Sequence, residues 1–126
     1  MRFMCIYRPT DTRKLEDGLP PSPDEVAEMG QLIGDMIKAG VLLATDGLLP
    51  SSKGARVRLS DGRFTVTDGP FAETKELIAG FAIIRVSSKA EAIEWGKRFL
   101  RIAGDGESEI RLMWDTPAFP PERDPA

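Results

Sequence analysis

The chain has 126 residues, a net charge of −3 and no histidine. Its length suits a single domain around one core, and its acidic balance argues against nucleic acid as a partner, because nucleic-acid-binding domains carry a basic face. The lack of histidine excludes Ser-His-Asp and Cys-His catalysis and the usual histidine-containing metal sites, and no nucleotide fingerprint is present, so we expect no metal ion and no cofactor.

The first half of the chain predicts a strand, a helix and a second strand. Residues 2–8 are apolar on both faces, which is typical of a central strand buried on two sides. Ser22 and Glu25 form a capping box for a helix over 23–39. A strand is predicted over about 41–45, and the Thr-Asp-Gly run at 45–47 predicts a turn after it.

The second half predicts a hairpin, a strand, a helix and a last strand. Residues 56–67 alternate in polarity around an Asp-Gly pair at 61–62, which is a strong signal for a two-residue hairpin turn. Residues 78–86 are apolar on both faces, like the first strand. A second capping box begins a helix over 88–102, and the last strand is predicted over 109–114.

This order of elements, β-α-β-(hairpin)-β-α-β, matches the ferredoxin-like βαββαβ pattern with an inserted β-hairpin. The fold class is therefore α+β, with both helices on one face of a mainly antiparallel sheet. Residues 1–115 form the predicted domain, and residues 116–126 form a proline-rich C-terminal tail.

Two helices can cover only one face of such a sheet. The other face would expose Phe3, Cys5, Tyr7 and Phe81, or their neighbours along the strands. A large exposed apolar face usually marks a partner interface. We therefore predict a homodimer in which the two open sheet faces meet around a cavity that can hold a small molecule.

The apolar runs and the cysteine content predict a cytoplasmic protein. The longest apolar runs are far shorter than a membrane span, and the N-terminus lacks the features of a signal peptide. The single cysteine cannot form an internal disulfide, which fits a reducing compartment. We expect no membrane as a partner.

The loop between the hairpin and the next strand is the most informative segment. Residues 68–76 read Asp-Gly-Pro-Phe-Ala-Glu-Thr-Lys-Glu, follow Val-Thr at 66–67 and precede Gly-Phe at 80–81. This run resembles the DGPF-domain branch of the YCII-related superfamily, and the similarity covers nearly the whole chain. The resemblance implies a ferredoxin-like dimeric α/β barrel, and it implies little about activity.

Candidate site residues lie in this loop. Asp68 is interpreted either as a turn residue that accepts backbone hydrogen bonds or as a general base or ligand anchor. Phe71 is either part of the core or one wall of a pocket. Glu73 and Lys75 are either a solvated charged turn or contacts to a polar ligand, and the resemblance favours them over other charged residues.

Two further candidates lie on predicted strands. Arg111 would suit an anionic ligand such as a carboxylate, or it forms an inter-subunit salt bridge. Tyr7 shares a strand face with Phe3 and Cys5, so it packs in the core or interface, or contacts the ligand. Cys5 has no electropositive neighbours that would make it reactive.

Three functions are open at this point. The first is a small dimer that binds an organic anion between its subunits. The second is a cofactor-independent lyase or hydrolase on a small aromatic or carbonyl compound, with Asp68 or Glu73 as base and Arg111 or Lys75 as electrostatic stabiliser. The third, which rests on the resemblance alone, is a regulatory partner associated with an extracytoplasmic-function sigma factor. The residues do not decide whether the protein is an enzyme.

Overall fold

The structure is a computed structural model that describes residues 1–72 and 74–115. Its strands and helices follow the predicted order. Along the chain they are β1 (Arg2–Pro9), α1 (Arg13–Glu16), α2 (Pro23–Lys38), β2 (Leu42–Gly47), β3 (Ala55–Ser60), β4 (Arg63–Asp68), β5 (Gly80–Arg85), α3 (Lys89–Ala103) and β6 (Gly106–Leu112). Short 3-10 turns lie at Ser51–Lys53 and Thr74–Glu76.

Four of the strands form an antiparallel sheet in the order β2-β5-β1-β6. With the hairpin and the one-turn helix α1 set aside, the elements run βαββαβ, and both long helices pack on the same face of this sheet. The prediction of an α+β fold is confirmed, and the topology is compatible with the ferredoxin-like class. The dimeric barrel stays a prediction.

The two long helices begin at the predicted capping residues. The Ser22 hydroxyl accepts a hydrogen bond from the Glu25 amide at 3.2 Å, and the Ser88 hydroxyl accepts one from the Glu91 amide at 3.1 Å. Each bond satisfies an amide that the first helical turn leaves without a partner. After α2, Gly40 adopts a φ of 71°, which lets the chain turn back toward β2.

The core lies between the helices and one face of the sheet. It consists of buried apolar side chains from both helices, from β1 and β5 and from the segments beside them, namely Phe3, Leu32, Met36, Val41, Ile84, Val86 and Ala92. Cys5 packs against this core, and Tyr7 lies on the same face of β1. The side chains that point to the open face are therefore the neighbours of these residues, Met4 and Ile6, together with Phe81, which pairs with Ile6.

Two predicted boundaries were wrong. The last strand begins at Gly106 and not at residue 109, because Gly106 pairs with Pro9 at the end of β1. A Cβ at residue 106 would lie 2.7 Å from the Arg8 carbonyl oxygen, so the close approach of these strands needs a glycine there. The run at 45–47 is the end of β2 and not a turn, since it pairs with β5 along its whole length.

The predicted hairpin is present as β3 and β4, joined by Asp61 and Gly62 with φ values of 51° and 75°. Positive φ at both turn residues is the geometry that an Asp-Gly pair favours. The hairpin forms a two-stranded sheet of its own. None of the helices in the described part of the chain is long and apolar enough to cross a membrane.

Candidate functional site

A cavity of about 340 Å³ lies between the two long helices and the sheet. Its walls are apolar and aromatic side chains from both helices and β2, chiefly Met29, Leu32, Met36, Leu42, Trp95 and Phe99. This volume falls within the range of about 300–1,000 Å³ that is usual for small-molecule sites. A largely apolar pocket of this size, with a few polar groups, is the usual form of a ligand site in a small domain.

The floor of the cavity is open because the sheet carries small residues there. Gly47, Gly80 and Tyr7 form one row across neighbouring strands, and Ala82 and Cys5 belong to the next row. A Cβ on Gly80 would lie 2.7 Å from the Asp46 carbonyl oxygen, so this position accepts only glycine without a shift of the backbone. The cavity therefore lies over two positions at which the sheet carries no side chain.

Polar groups lie at one end of the cavity, where the last residues of β2 and the first residues of β6 line it. Thr45 and Asp46 are exposed and mark its mouth, and Ser108 pairs with Tyr7 across β1 and β6. The Thr45 hydroxyl donates a hydrogen bond to the Phe81 carbonyl oxygen at 3.0 Å. Its oxygen still has acceptor capacity for a ligand.

Tyr7 is the sequence-predicted site residue that lines the cavity. Its ring packs edge-to-face against Phe99 with centroids 5.0 Å apart. Its hydroxyl lies 3.4 Å from the Gly104 carbonyl oxygen and 3.5 Å from that of Ala103, which are long, weak hydrogen bonds. Burial, and then the carboxylate of Asp105, raise the pKa of Tyr7, so the phenol is a donor at neutral pH.

The Cys5 thiol also lines the cavity. Burial raises the pKa of Cys5 to about 11, so the thiol is protonated at neutral pH. A nucleophilic or metal-binding cysteine needs the thiolate, and the described residues hold no group of His, Cys, Asp and Glu side chains placed to bind a metal ion. Cys5 therefore acts as a small apolar wall residue.

Of the loop residues singled out from the sequence, Asp68, Phe71 and Lys75 are described, and they do not line this cavity. Asp68 ends β4, opposite Ala55, and is exposed. Phe71 is half-buried, with the Arg56 guanidinium 3.9 Å above its ring, a cation–π contact. Lys75 is exposed in a 3-10 turn. Glu73 lies outside the described residues.

Arg111 lies on the open face of the sheet, opposite the cavity. Its guanidinium and that of Arg8 each contact the Glu109 carboxylate at 2.9 Å. Hydrogen bonds from Arg111 and then Arg8 lower the pKa of Glu109. The charge of Arg111 is thus partly compensated within the chain, and the structure brings it together neither with Tyr7 nor with the Asp68 loop.

Hydrogen bonds to Ser51 hold the Asp68 loop to the rest of the domain. The Ser51 hydroxyl donates to one Glu16 carboxylate oxygen at 2.5 Å, and the Ser51 amide donates to the other at 2.9 Å. The same hydroxyl accepts from the Phe71 amide at 3.0 Å. An added Cβ on Gly69 would overlap the Ser51 carbonyl group, so the loop packs directly on this backbone.

Sequence reasoning missed the residues that form the mouth of the cavity and the support of the loop. Thr45 and Asp46 were interpreted as turn residues, and Ser108 was placed before the last strand. Glu16 and Ser51 are 35 positions apart, so no local pattern connects them. The alternation of the first strand was a usable signal, because it places Tyr7 and Cys5 on a shared face. It did not show which residues of β5 share that face, and the register places Ala82 there.

Residues 1–115 match the YCII-related domain family, and the chain belongs to this family. It is also 41% identical, over 61 residues, to an uncharacterized protein of Rhizobium meliloti (strain 1021). That match spans 48% of this chain and 49% of the relative, so it covers about half of each protein. The family assignment agrees with the resemblance seen in the Asp68 loop.

Proposed function

We propose that this YCII-related protein binds a small, uncharged, largely apolar organic molecule in the cavity between its sheet and its helices. The observation that carries this proposal is the cavity of about 340 Å³, with aromatic walls from Trp95 and Phe99 and polar groups at one end. The volume is at the lower end of the range for ligand sites, about 300–1,000 Å³. A compound of one or two fused rings suits that space.

The lining favours a neutral ligand over an anion. No lysine or arginine is found among the described residues that line the cavity. A carboxylate ligand would lose its hydration shell there without gaining a cation, which is costly. A hydroxyl group, in contrast, can donate to the Thr45 oxygen, because Thr45 pairs with Ala82 and shares the cavity face of the sheet. The organic anion between subunits stays a prediction, and Arg111, its expected cation, already contacts Glu109.

The same lining favours binding over catalysis. The two ionisable groups inside it, the Cys5 thiol and the Tyr7 phenol, both have raised pKa values and stay protonated at neutral pH. Neither has a described hydrogen bond to a base that would activate it as a nucleophile. The lyase or hydrolase reaction and the sigma-factor association stay predictions, and the described cavity residues support neither.

A pair of probes of similar shape tests the proposal. We expect 2-naphthol to raise the melting temperature at neutral pH, and 2-naphthoate, which carries a negative charge, to have little effect. At a free concentration of 100 times Kd, a ligand that binds only the folded state stabilises it by about 2.7 kcal/mol. Quenching of tryptophan fluorescence gives a second readout, because Trp95 lines the cavity.

Two alanine-to-leucine variants locate the binding. Ala82→Leu places a larger side chain on the cavity floor, while Ala44→Leu adds the same side chain on the other face of the sheet, since Ala44 pairs with Ile83. We expect naphthol to stabilise the wild type and Ala44→Leu but not Ala82→Leu. Equal shifts in both variants, or a stronger effect of naphthoate, would contradict the proposal.

A further inference from the structure

Two hydroxyl-bearing side chains of the cavity lining lie on opposite edges of the four-stranded sheet. Thr45 lies on β2 and Ser108 on β6, and the strand order β2-β5-β1-β6 makes these the two edge strands. Both side chains lie on the cavity face, because Thr45 pairs with Ala82 and Ser108 pairs with Tyr7. The apolar lining is therefore flanked by one hydroxyl group on each side of the sheet.

The Ser108 hydroxyl is available to a ligand. Ser108 is half-buried, and none of the hydrogen bonds among the described residues involves its hydroxyl. The described part of the chain contains no fully buried side-chain oxygen or nitrogen without a partner, so the Ser108 oxygen is accessible. A serine hydroxyl can donate one hydrogen bond and accept two. Ser108 can therefore bind a hydroxyl group of a ligand as donor or as acceptor.

The Thr45 hydroxyl can only accept, because its proton is already used. It donates to the Phe81 carbonyl oxygen at 3.0 Å, which leaves its own oxygen as an acceptor. A ligand group that binds there must bring a proton, as a hydroxyl does. Phe81 belongs to β5, so this hydrogen bond also draws the Thr45 hydroxyl from the edge strand toward the middle of the sheet.

The span between the two hydroxyls is close to the reach of a two-ring compound. Three interstrand spacings of about 4.8 Å separate β2 from β6, and Thr45 and Ser108 are offset by two positions, about 6.7 Å, along the strands. Their Cα atoms are thus about 16 Å apart, and the lean of Thr45 toward β5 brings the hydroxyls closer. The oxygens of 2,6-dihydroxynaphthalene are about 8 Å apart, and a hydrogen bond of about 2.8 Å at each end extends the reach to about 14 Å.

We propose that the ligand carries hydroxyl groups at opposite ends of a flat apolar body, one bound by Thr45 and the other by Ser108. This inference rests on the proposed function, since it concerns the same cavity, and it adds the positions of the polar groups. The aromatic walls of Trp95 and Phe99 contact the apolar body. An apolar end placed against Ser108 would remove water from its hydroxyl without replacing the hydrogen bond, which is costly.

Three naphthols of similar shape test the proposal by isothermal titration calorimetry at neutral pH. We expect 2,6-dihydroxynaphthalene to bind about 2- to 10-fold more tightly than 2-naphthol, which is the gain from one additional hydrogen bond. The isomer 2,3-dihydroxynaphthalene has both hydroxyls at the same end, so it can reach only one of the two side chains. It should bind without this gain.

Two conservative variants assign the gain to the two side chains. Ser108→Ala and Thr45→Val each remove one hydroxyl with little change of shape, and in either variant the 2,6-isomer should bind no more tightly than 2-naphthol. Thr65→Val is the matched control, because Thr65 lies on the hairpin, opposite Arg58, and should leave the wild-type preference unchanged. Binding of 2-naphthol itself shows that each variant keeps a folded cavity.

The outcomes separate this inference from the proposed function. If 2-naphthol binds the wild type and the 2,6-isomer binds no more tightly, the inference is overturned while the proposed function stands. The same holds if the preference for the 2,6-isomer persists in Ser108→Ala or in Thr45→Val. If neither compound binds the wild type, both proposals are overturned.

Discussion

Replacing Gly80 by alanine should destabilise the sheet where it supports the cavity. The new Cβ would lie 2.7 Å from the Asp46 carbonyl oxygen and 3.3 Å from the Gly47 Cα. Both are backbone atoms, so no side-chain rotation can relieve the overlap. The end of β2 and the start of β5 must move apart, which weakens their pairing and displaces Thr45 and Asp46 at the mouth of the cavity.

The size and sign of the change in the free energy of unfolding follow from the space around the added Cβ. Overpacking of this kind costs about 1–3 kcal/mol of unfolding free energy. Gly34 is the matched control, because it lies in the interior of α2 with no atom within 4 Å of an added Cβ. There, alanine should stabilise the fold by about 0.5–1 kcal/mol, since glycine is a poor helix residue. The same chemical change thus has opposite signs at two positions.

Urea unfolding followed by far-ultraviolet circular dichroism measures both variants against the wild type. The free energies of unfolding should be compared only if their dependence on urea concentration has the same slope. A changed slope would mean that the mutation altered the denatured state. Naphthol binding should also weaken in Gly80→Ala and stay unchanged in Gly34→Ala. If Gly80→Ala is as stable as the wild type, the close packing of β2 on β5 is not what keeps residue 80 a glycine.

Two further predictions concern ionisable groups. The Cys5 thiol, with a pKa of about 11, should react slowly with iodoacetamide at pH 8 in the native protein and rapidly in urea; fast native labelling would show that the thiol is accessible and ionised. Hydrogen bonds from Ser51 lower the pKa of Glu16, so their contribution to stability is present above the unfolded-state pKa of about 4.3 and is lost as pH falls through the lower folded value. The melting temperature of Glu16→Gln should therefore lie below that of the wild type at pH 7 and approach it near pH 3, and a difference that is constant with pH would contradict this.

Elements with local signals could be predicted from the sequence. The hydroxyls of Ser22 and Ser88 cap helices at the expected residues, and the Asp61-Gly62 pair forms the expected turn. Each of these features depends on a few neighbouring residues and on backbone preferences that tertiary contacts do not override here. The family resemblance of the Asp68 loop was local in the same way, and the family is confirmed.

The candidate site could be predicted only in part, because it depends on contacts between distant segments. Tyr7 could be placed on a strand, but alternation alone could not say which face the helices cover. Gly106 was placed before the predicted start of the last strand, although its close approach to Arg8 makes it the first residue of β6. The cavity lies over Gly47 and Gly80, which carry no side chains, and a sequence pattern does not show empty space.

The residue on the cavity floor that a ligand would contact is different from the residues that stabilise the core. Ala82 lies on the sheet beneath the cavity, whereas Phe3 and Val86, at 2% and 6% exposure, belong to the core and do not line the cavity. Exchanging the alanine for a serine or a valine would change the depth or polarity of the site while these core contacts remain. Members of one family that share this framework can therefore diverge in the molecules they accept through single substitutions on the sheet.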